Sequence, residues 1–286
     1  MKNWKRWLLA ILLTLVIAFV YYYINLPALN IHSAGFWCFV ILMVFVFAIV
    51  LSFRSVWKSG HVSFGKKGLD IQKGTMGPYR YLFYLGGVLL LIFLIGSVLS
   101  SPIINAKKYQ KLMQVEERDF TADIKEVDFD TIPLLDRDSA AILGSRKMGS
   151  MVDMVSQFEV ADDYTQINVS GKPVRVTPLM YASPIKWLTN QKNGIPAYIQ
   201  IDMTTQDTEC VKLTEGIKYS ESEMFNRYIW RHIRFRYPTY IFADQIFFEI
   251  DDEGTPYWIC PVKKFNIGLF GGVTVGRVVP VSYTHL

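Results

Sequence analysis

The chain begins with three long runs of apolar residues that contain no charged side chain. They cover residues 7–24, 35–53 and 81–104. Each run approaches or exceeds the ~20 residues that a helix needs to cross the hydrocarbon core of a bilayer. Buried helices of a soluble protein are the alternative, but three uncharged runs in succession favour three transmembrane helices.

The pattern changes after the third run. Residues 105–135 are rich in charge and predict a stalk or linker. Apolar residues recur at helical spacing in 136–158 and again in 220–238, where Ser220 and Glu223 have the spacing of a capping box. Alternating or β-branched runs predict strands at 164–169, 173–179, 196–202, 245–250, 256–262 and 271–281.

This order of elements occurs twice, which predicts two related units at 136–215 and 216–280. Three turns also share the pattern Gly-x-Pro, beginning at Gly171, Gly194 and Gly254. Glycine permits a positive φ in the turn, and proline sets φ where the next strand begins. The predicted fold is therefore a membrane-anchored α+β protein: a transmembrane region (1–104) with three helices, followed by two helix-plus-antiparallel-meander units.

Charge is distributed unevenly and indicates the topology. Residues 1–102 carry nine lysines and arginines but only one acid, Asp70. Six of these basic residues lie in the second loop, 54–80, whereas the first loop, 26–34, has no charge. The positive-inside rule therefore predicts that the N-terminus and the 54–80 loop are cytoplasmic and that the chain after the third span is extracytoplasmic. Lys107, Lys108 and Lys111 argue in the opposite direction, but they are outnumbered.

The basic residues do not indicate nucleic-acid binding, because they lie beside apolar spans rather than on a polar face. The lipid bilayer is the expected partner. Within the second loop, residues 61–72 predict a small hairpin with a positive tip near anionic headgroups. A cleavable signal peptide is a second interpretation of the first run. That run is longer than a usual signal core, and no clear cleavage site follows it.

The region after the third span resembles the small PepSY-type α+β domains of bacterial envelope proteins. The similarity is carried by Asp251, Gly254, Tyr257, Trp258 and the segment IGLFGG (267–272). The whole chain is similar to uncharacterised multi-span bacterial membrane proteins with a tandem region of this kind. The resemblance implies binding or regulation at the cell envelope, in the inner membrane, and supplies no catalytic residues.

Two motifs share residue types with ligand-binding sites, but their spacing favours structural roles. Asp251, Asp252 and Glu253 are consecutive, whereas a calcium loop needs acids at alternating positions and a distal glutamate. They predict a solvated turn. The glycine-rich segment 267–276 fits neither a dinucleotide-binding nor a phosphate-loop spacing, and it predicts a flexible hairpin loop.

The helix predicted at 220–238 carries the best candidate for a binding surface. Arg227, Arg231 and Arg234 follow each other at helical spacing and would form a basic stripe. Such a stripe suits an anionic partner such as lipid headgroups, a cell-wall polymer or an acidic peptide. The alternative is a solvated helix face balanced by Glu221 and Glu223.

The sequence supports no catalytic or cofactor site. Motifs for nucleophilic catalysis are absent, and His232 has no second histidine or cysteine pair nearby for zinc. Cys210 and Cys260 fall in the predicted exported region and permit a disulfide, although two buried thiols are the alternative. An unrecognised envelope hydrolase or transferase, or a subunit of a transport or secretion assembly, remain competing functions.

The last residues resemble translated adapter sequence rather than the end of a natural chain. The strand at 271–281 is followed by Ser-Tyr-Thr-His-Leu. We therefore expect residues 281–286 to be foreign and place no functional argument on them.

Overall fold

The computed structural model describes residues 2–59, 61–65, 68–72, 79–113, 115–124 and 126–284. The chain divides into two compact units, which are treated separately. The membrane unit comprises Met1–Met113, Pro238–Ile241 and Lys264–Thr274. The sheet unit comprises Gln114–Tyr237, Phe242–Lys263 and Val275–Leu286.

Three apolar helices form most of the membrane unit. They are α1 (Lys2–Asn25), α2 (Ala34–Ser59) and α3 (Arg80–Leu99). Each contains a segment of 19 or 20 residues that is long and apolar enough to cross a membrane. Their large apolar side chains are widely exposed, for example Leu12 at 57% and Leu91 at 56%. Extended apolar surface of this kind marks a region that contacts lipid or another apolar partner, so the three helices identify a membrane protein.

The third helix ends earlier than predicted. α3 stops at Leu99, and α4 (Pro102–Gln110) begins two residues after Ser100. Pro102 occupies the first position of α4, where its missing N–H leaves no helical hydrogen bond unmade. The predicted run 81–104 therefore contains a break between two helices.

The second loop contains the predicted hairpin. β1 (His61–Gly65) pairs antiparallel with β2 (Gly68–Gln72), and His61 lies opposite Gln72. The two lysines of the predicted positive tip, Lys66 and Lys67, lie outside the described residues.

The predicted stalk, 105–135, has little regular structure in its described part. It contains the end of α4, the single turn α5 (Phe120–Asp123) and a 3₁₀ turn at Phe129–Thr131.

A five-stranded antiparallel sheet forms the first part of the sheet unit. α6 (Arg137–Gly149) precedes it, capped by Asp136, whose carboxylate accepts from the N–H of Ser139 at 2.7 Å. The strand order is β3-β5-β6-β7, and β4 pairs with β5 on the same side as β3. The strands are β3 (Phe158–Val160), β4 (Thr165–Val169), β5 (Lys172–Tyr181), β6 (Ile195–Asp202) and β7 (Thr208–Ile217). The short helix α7 (Pro184–Asn190) connects β5 to β6.

A three-stranded sheet follows in the order β10-β9-β8. The strands are β8 (Phe247–Ile250), β9 (Pro256–Ile267) and β10 (Gly271–Ser282). Strands β9 and β10 each belong partly to both units. The core of the sheet unit contains Tyr198, Phe248 and Ile201, which are at most 1% exposed.

The second predicted helix is shorter than 220–238. The structure has a 3₁₀ turn at Phe225–Arg227 and then α8 (Ile229–Arg236). The predicted capping box at Ser220 is wrong, because Ser220 lies nine residues before the helix and Tyr228 occupies the N-cap without a side-chain hydrogen bond. The helix predicted at 136–158 also ends early: α6 stops at Gly149.

The six strand predictions are confirmed in position: β5, β6, β9 and β10 extend beyond the predicted bounds, β4 and β8 are shorter, and β3 and β7 were not predicted. The first meander therefore has five strands where three were predicted. Whether 136–215 and 216–280 are two related units stays a prediction.

The three Gly-x-Pro turns form as expected. Gly171, Gly194 and Gly254 have φ values of 81°, 79° and 81°, and each directly precedes a strand or lies two residues before one. At Gly194 a side chain is also excluded by space, because a Cβ would lie 2.6 Å from the carbonyl oxygen of Ile217.

The acidic segment before Gly254 is a turn, as predicted. The carboxylate of Asp251 accepts from the N–H groups of Glu253 at 3.1 Å and Thr255 at 2.7 Å. Asp252 accepts from the N–H of Ser170 at 2.7 Å and so links two turns of the sheet unit. The acids therefore order backbone rather than converge on one point.

The glycine-rich turn between β9 and β10 is hydrogen-bonded to Ser100, at the end of α3. Gly268 and Gly272 have positive φ values of 60° and 62°. The hydroxyl of Ser100 accepts from the N–H groups of Leu269 at 2.9 Å and Phe270 at 3.2 Å. The hairpin predicted for this segment forms between β9 and β10, and its glycines allow the backbone to approach Ser100 closely; its flexibility stays a prediction.

Candidate functional site

The candidate site forms where the edge of the first sheet is interrupted. Val160 pairs with Leu179 of β5, and Thr165 pairs with Val176. Four residues, 161–164, therefore span only two positions of β5. We call this segment the 161–164 bulge. Surplus residues in an edge strand cannot stay in the ladder, so the bulge leaves the plane of the sheet.

Two hydrogen bonds, both at Ala161, attach the bulge to β5. The N–H of Ala161 donates to the carbonyl oxygen of Pro178 at 3.1 Å. The hydroxyl of Thr177, which is fully buried, donates to the carbonyl oxygen of Ala161 at 2.9 Å. The first residue of the bulge is thus anchored.

Two cavities adjoin the bulge and share Asp163. The larger has a volume of about 400 Å³ and the smaller of about 180 Å³. The larger is lined by Arg137, Asp163, Tyr164, Thr165, Gln166, Gln245, Phe247 and Glu249. The smaller is lined by Ala161, Asp163, Pro178, Leu179, Met180, Ser220, Glu221, Ser222, Phe248 and Trp258. We call them the polar cavity and the aromatic cavity.

Asp163 is positioned by two side chains of the polar cavity. The amide of Gln245 donates to its carboxylate at 3.0 and 3.3 Å, and the guanidinium of Arg137 lies 3.7 Å away. These groups are exposed enough that water screens the ion pair, which therefore stabilises little. Nearby, partial burial raises the pKa of Glu249 above its ordinary value. The polar cavity thus has two carboxylates and one guanidinium.

The aromatic cavity has a rigid floor. The rings of Phe248 and Trp258 meet edge to face with centroids 5.4 Å apart, and they are only 1% and 4% exposed. The indole N–H of Trp258 donates to the carbonyl oxygen of Tyr219 at 2.7 Å, which fixes its orientation. Packed aromatic residues with satisfied polar atoms present a preformed surface to a ligand.

A buried carboxylate holds the segment that closes the aromatic cavity. Glu223 is 2% exposed and directly follows the cavity residues Glu221 and Ser222. It accepts from the hydroxyl of Tyr181 at 2.8 Å and from the indole N–H of Trp187 at 2.7 Å. Burial raises the pKa of Glu223, although both hydrogen bonds oppose that rise. The carboxylate therefore ties the 220–222 segment to β5 and α7.

The three predicted binding arginines do not form one helix face. Arg227 lies in the 3₁₀ turn before α8 and donates to the carbonyl oxygen of Gln191. Arg231 donates to the carbonyl oxygen of Phe225 at 2.6 Å. Arg234 is 9% exposed, and its guanidinium lies 5.6 Å from the ring centroid of Phe242. The stripe was predicted on a helix that begins too early; binding of an anionic partner by these arginines stays a prediction.

The cysteines are free thiols in the structure. Cys260 is fully buried on β9, and burial raises its pKa to about 12. Cys210 lies on β7, in the other sheet, and is partly exposed. Neither is joined in the disulfide that the sequence permitted.

Within the described residues, no three histidine, cysteine, aspartate or glutamate side chains come close enough to bind a metal ion. His232 stacks on Tyr219 with ring centroids 4.0 Å apart, and its Nε2 is buried without a hydrogen-bond partner. It packs as a neutral aromatic residue, and burial lowers its pKa below the ordinary value.

Sequence reasoning missed the residues that line the two cavities. Asp163, Glu221 and Trp258 lie far apart in the chain, on the bulge, on an irregular segment and on a central strand. No motif joins them. The only available signal was the spacing of four residues between two short strands, which is visible once β3 is recognised.

The comparisons with known proteins do not assign the chain to a family. No protein-family model, curated protein or solved structure matches the chain.

Proposed function

We propose that the protein is a membrane-anchored binding protein of the bacterial cell envelope, without catalytic activity. In this proposal three helices span the inner membrane, and the sheet unit lies outside the cytoplasm and takes a ligand in the polar and aromatic cavities. The observation that carries the proposal is the pair of cavities at the 161–164 bulge, with its aromatic floor and its carboxylates. The resemblance to PepSY-type domains supports a binding or regulatory role in the same location.

Contacts within the membrane unit support the proposed topology. His32, in the loop between α1 and α2, has its Nδ1 2.7 Å from the carbonyl oxygen of Leu269 and its ring stacked on Phe265. Ser100, just after α3, binds the N–H of Leu269. The first loop, the end of the third helix and the turn between β9 and β10 therefore lie together. The opposite helix ends carry the basic N-terminus and the basic second loop, which the positive-inside rule assigns to the cytoplasm.

Substituted-cysteine labelling tests the topology. In a background without the native cysteines, Lys192→Cys in the sheet unit is compared with Ser63→Cys in the second loop, using a thiol reagent that does not cross membranes. We expect Lys192→Cys to react in intact cells or spheroplasts and Ser63→Cys to react only after permeabilisation. The reverse pattern would overturn the extracytoplasmic assignment.

Thermal stabilisation tests the binding function. The purified full chain is screened against amino acids, short peptides, sugars and polyanions, in parallel with a Thr165→Trp variant that fills the polar cavity and an Asp138→Asn control. A ligand of the polar cavity raises the Tm of the wild type and of Asp138→Asn but not that of Thr165→Trp, because it binds only the folded state and Thr165 lines that cavity. If every stabilising compound acts equally on all three proteins, the polar cavity is not the binding site.

A further inference from the structure

The chemistry of the aromatic cavity is more specific than a general binding role requires. Its described lining contains two acids, Asp163 and Glu221, and no lysine, arginine or histidine. Two hydroxyls, of Ser220 and Ser222, lie 3.4 Å from each other on the same segment as Glu221. Apart from the indole N–H of Trp258, which is already bound to Tyr219, the polar side chains of the described lining are negatively charged acceptors or hydroxyls that can also accept.

The walls of the cavity are hydrocarbon and aromatic. Leu179 is 1% exposed and Phe248 is 1% exposed, so both present fixed apolar surfaces to the cavity. Met180 adds an unbranched thioether side chain that can adapt to the shape of a guest. An occupant therefore has to combine an apolar stem with a polar, cationic end.

The size of the cavity limits that occupant. Its volume of about 180 Å³ is at least ten times the ~15 Å³ that one water molecule needs. This space admits a chain of several carbon atoms with one head group, but not a folded peptide segment or a sugar chain.

The acids favour an ammonium over a guanidinium. Asp163 and Glu221 belong to two different segments of the chain, the 161–164 bulge and the stretch before Glu223, and each contributes one carboxylate to the lining. An ammonium donates three hydrogen bonds in different directions, whereas a guanidinium is planar and best matched by one carboxylate in a bidentate pair. Trp258 adds an aromatic surface, the best side-chain partner of a cation.

We propose, on the basis of the binding function above, that the aromatic cavity takes a primary ammonium group on a hydrocarbon stem, as in a lysine side chain or a free alkyl amine. The stem lies against Leu179, Met180 and Phe248, and the ammonium lies between Asp163 and Glu221. Arg137 and Gln245 already contact Asp163 from the polar cavity. The ion pair to Arg137 at 3.7 Å is exposed and weak, and the hydrogen bonds from Gln245 leave further acceptor positions on the carboxylate.

Binding measurements on the purified full chain test this assignment. The first probe is an N-acetylated, C-amidated lysine, and its matched control is the norleucine derivative, which lacks the charge. The second probe, n-pentylammonium, separates a free amine from a side chain carried by a peptide backbone. We expect the lysine probe to bind at least about tenfold more tightly than norleucine, since a charged hydrogen bond contributes about 1.4 kcal/mol or more.

Two variants locate the ammonium. Asp163→Asn and Glu221→Gln remove charge but keep an acceptor for Gln245 and for the indole N–H of Trp230, which donates to Glu221 at 2.6 Å. Each is expected to weaken lysine binding about tenfold and to leave norleucine binding unchanged. Glu209→Gln, an exposed acid on β7, is the matched control and should change neither.

The outcomes separate this inference from the binding function. If norleucine binds as tightly as lysine, or if Glu221→Gln has no effect on lysine binding, the ammonium assignment is overturned and the binding function stands. A compound of a different class that stabilises the wild type but not Thr165→Trp would support the binding function through the polar cavity, independently of the ammonium assignment. If no compound of any class loses binding when residues of the cavities are changed, both the ammonium assignment and the binding function are overturned.

Discussion

The hydroxyl of Ser100 accepts a hydrogen bond from the backbone N–H of Leu269 at a distance of 2.9 Å. The same hydroxyl donates to the carbonyl oxygen of Gly96 at 2.6 Å, and the residue is 3% exposed. A single buried side chain at the end of α3 thus satisfies backbone groups of the turn between β9 and β10, 169 residues later in the chain.

Replacement of Ser100 by alanine is expected to destabilise the membrane unit by about 1–3 kcal/mol, because the partly buried N–H groups of Leu269 and Phe270 lose their acceptor. Ser97→Ala is the control, since the Ser97 hydroxyl bonds only the carbonyl oxygen of Phe93 within its own helix. Unfolding in detergent and hydrogen exchange at residues 268–271 measure the effect. Equal stability of the two variants would show that the Ser100 contacts do not hold the turn.

A second prediction concerns Gly144 on α6. A Cβ at this position would lie 1.9 Å from the hydroxyl oxygen of Tyr164 in the 161–164 bulge, whereas a Cβ at Gly149 on the same helix meets nothing within 4 Å. We expect Gly144→Ala to destabilise the protein by about 1–3 kcal/mol through overpacking. Gly149→Ala should be neutral or slightly stabilising, because alanine favours a helix.

The hydroxyl of Tyr164 supplies an internal check on that prediction. It is buried without a hydrogen-bond partner, and burial raises the pKa of Tyr164 to about 12. Tyr164→Phe should therefore be neutral or stabilising, since it removes an unsatisfied polar group. In the Tyr164→Phe background, Gly144→Ala should cost less than in the wild type. Strict additivity of the two changes in free energy of unfolding would contradict the proposed clash.

Much of this architecture was predictable from local pattern. The three spans, the hairpin at 61–72, the Gly-x-Pro turns and most strands follow from hydrophobic period and turn chemistry. The start of α8 was not predictable, because Ser220 and Glu223 carry a capping-box pattern that tertiary contacts override. Glu223 instead reaches Tyr181 and Trp187, more than thirty positions away in the sequence.

That use of Glu223 leads to a third prediction. Glu223→Gln is expected to destabilise the sheet unit by about 1–3 kcal/mol, because an amide keeps only one of the two oxygens that accept from Tyr181 and Trp187. Burial places the pKa of Glu223 above its ordinary value of 4.5. This group therefore contributes stability that is complete below pH 4.5 and is lost as the pH rises through its folded pKa.

Denaturation of wild type and Glu223→Gln between pH 4 and pH 8 follows that dependence. The difference in free energy of unfolding should be largest at the acidic end and decrease as the pH rises. A difference that grows with pH would mean that the folded state favours the ionised carboxylate.

A fourth prediction has the opposite sign. Burial and the charge of Arg236 lower the pKa of His232 below its ordinary value of 6.5. The contribution of this imidazole is therefore complete above pH 6.5 and is lost as the pH falls through the folded pKa. His232→Phe keeps a ring against Tyr219 and should retain stability below pH 6 better than the wild type. Identical acid dependence in both proteins would exclude His232 as a source of acid sensitivity.

The candidate site was less predictable than the fold because it consists of a mismatch between strands. Hydrophobic period can place β4 and β5 separately, but it cannot show that residues 161–164 face two positions of β5. Only the paired register reveals the surplus. Regular spacing can also mislead. The spacing of Arg227, Arg231 and Arg234 predicts an exposed basic stripe, but Arg234 is buried.

The 161–164 bulge also has a consequence for how the site can vary. Its cavities depend on chain length at one point of a sheet edge, so a two-residue deletion there would leave two residues opposite two positions of β5, restore a continuous strand and close the space. Insertions would instead enlarge it. The specificity of such a site can change through the number of residues as readily as through their identity, while the sheet beneath keeps its register.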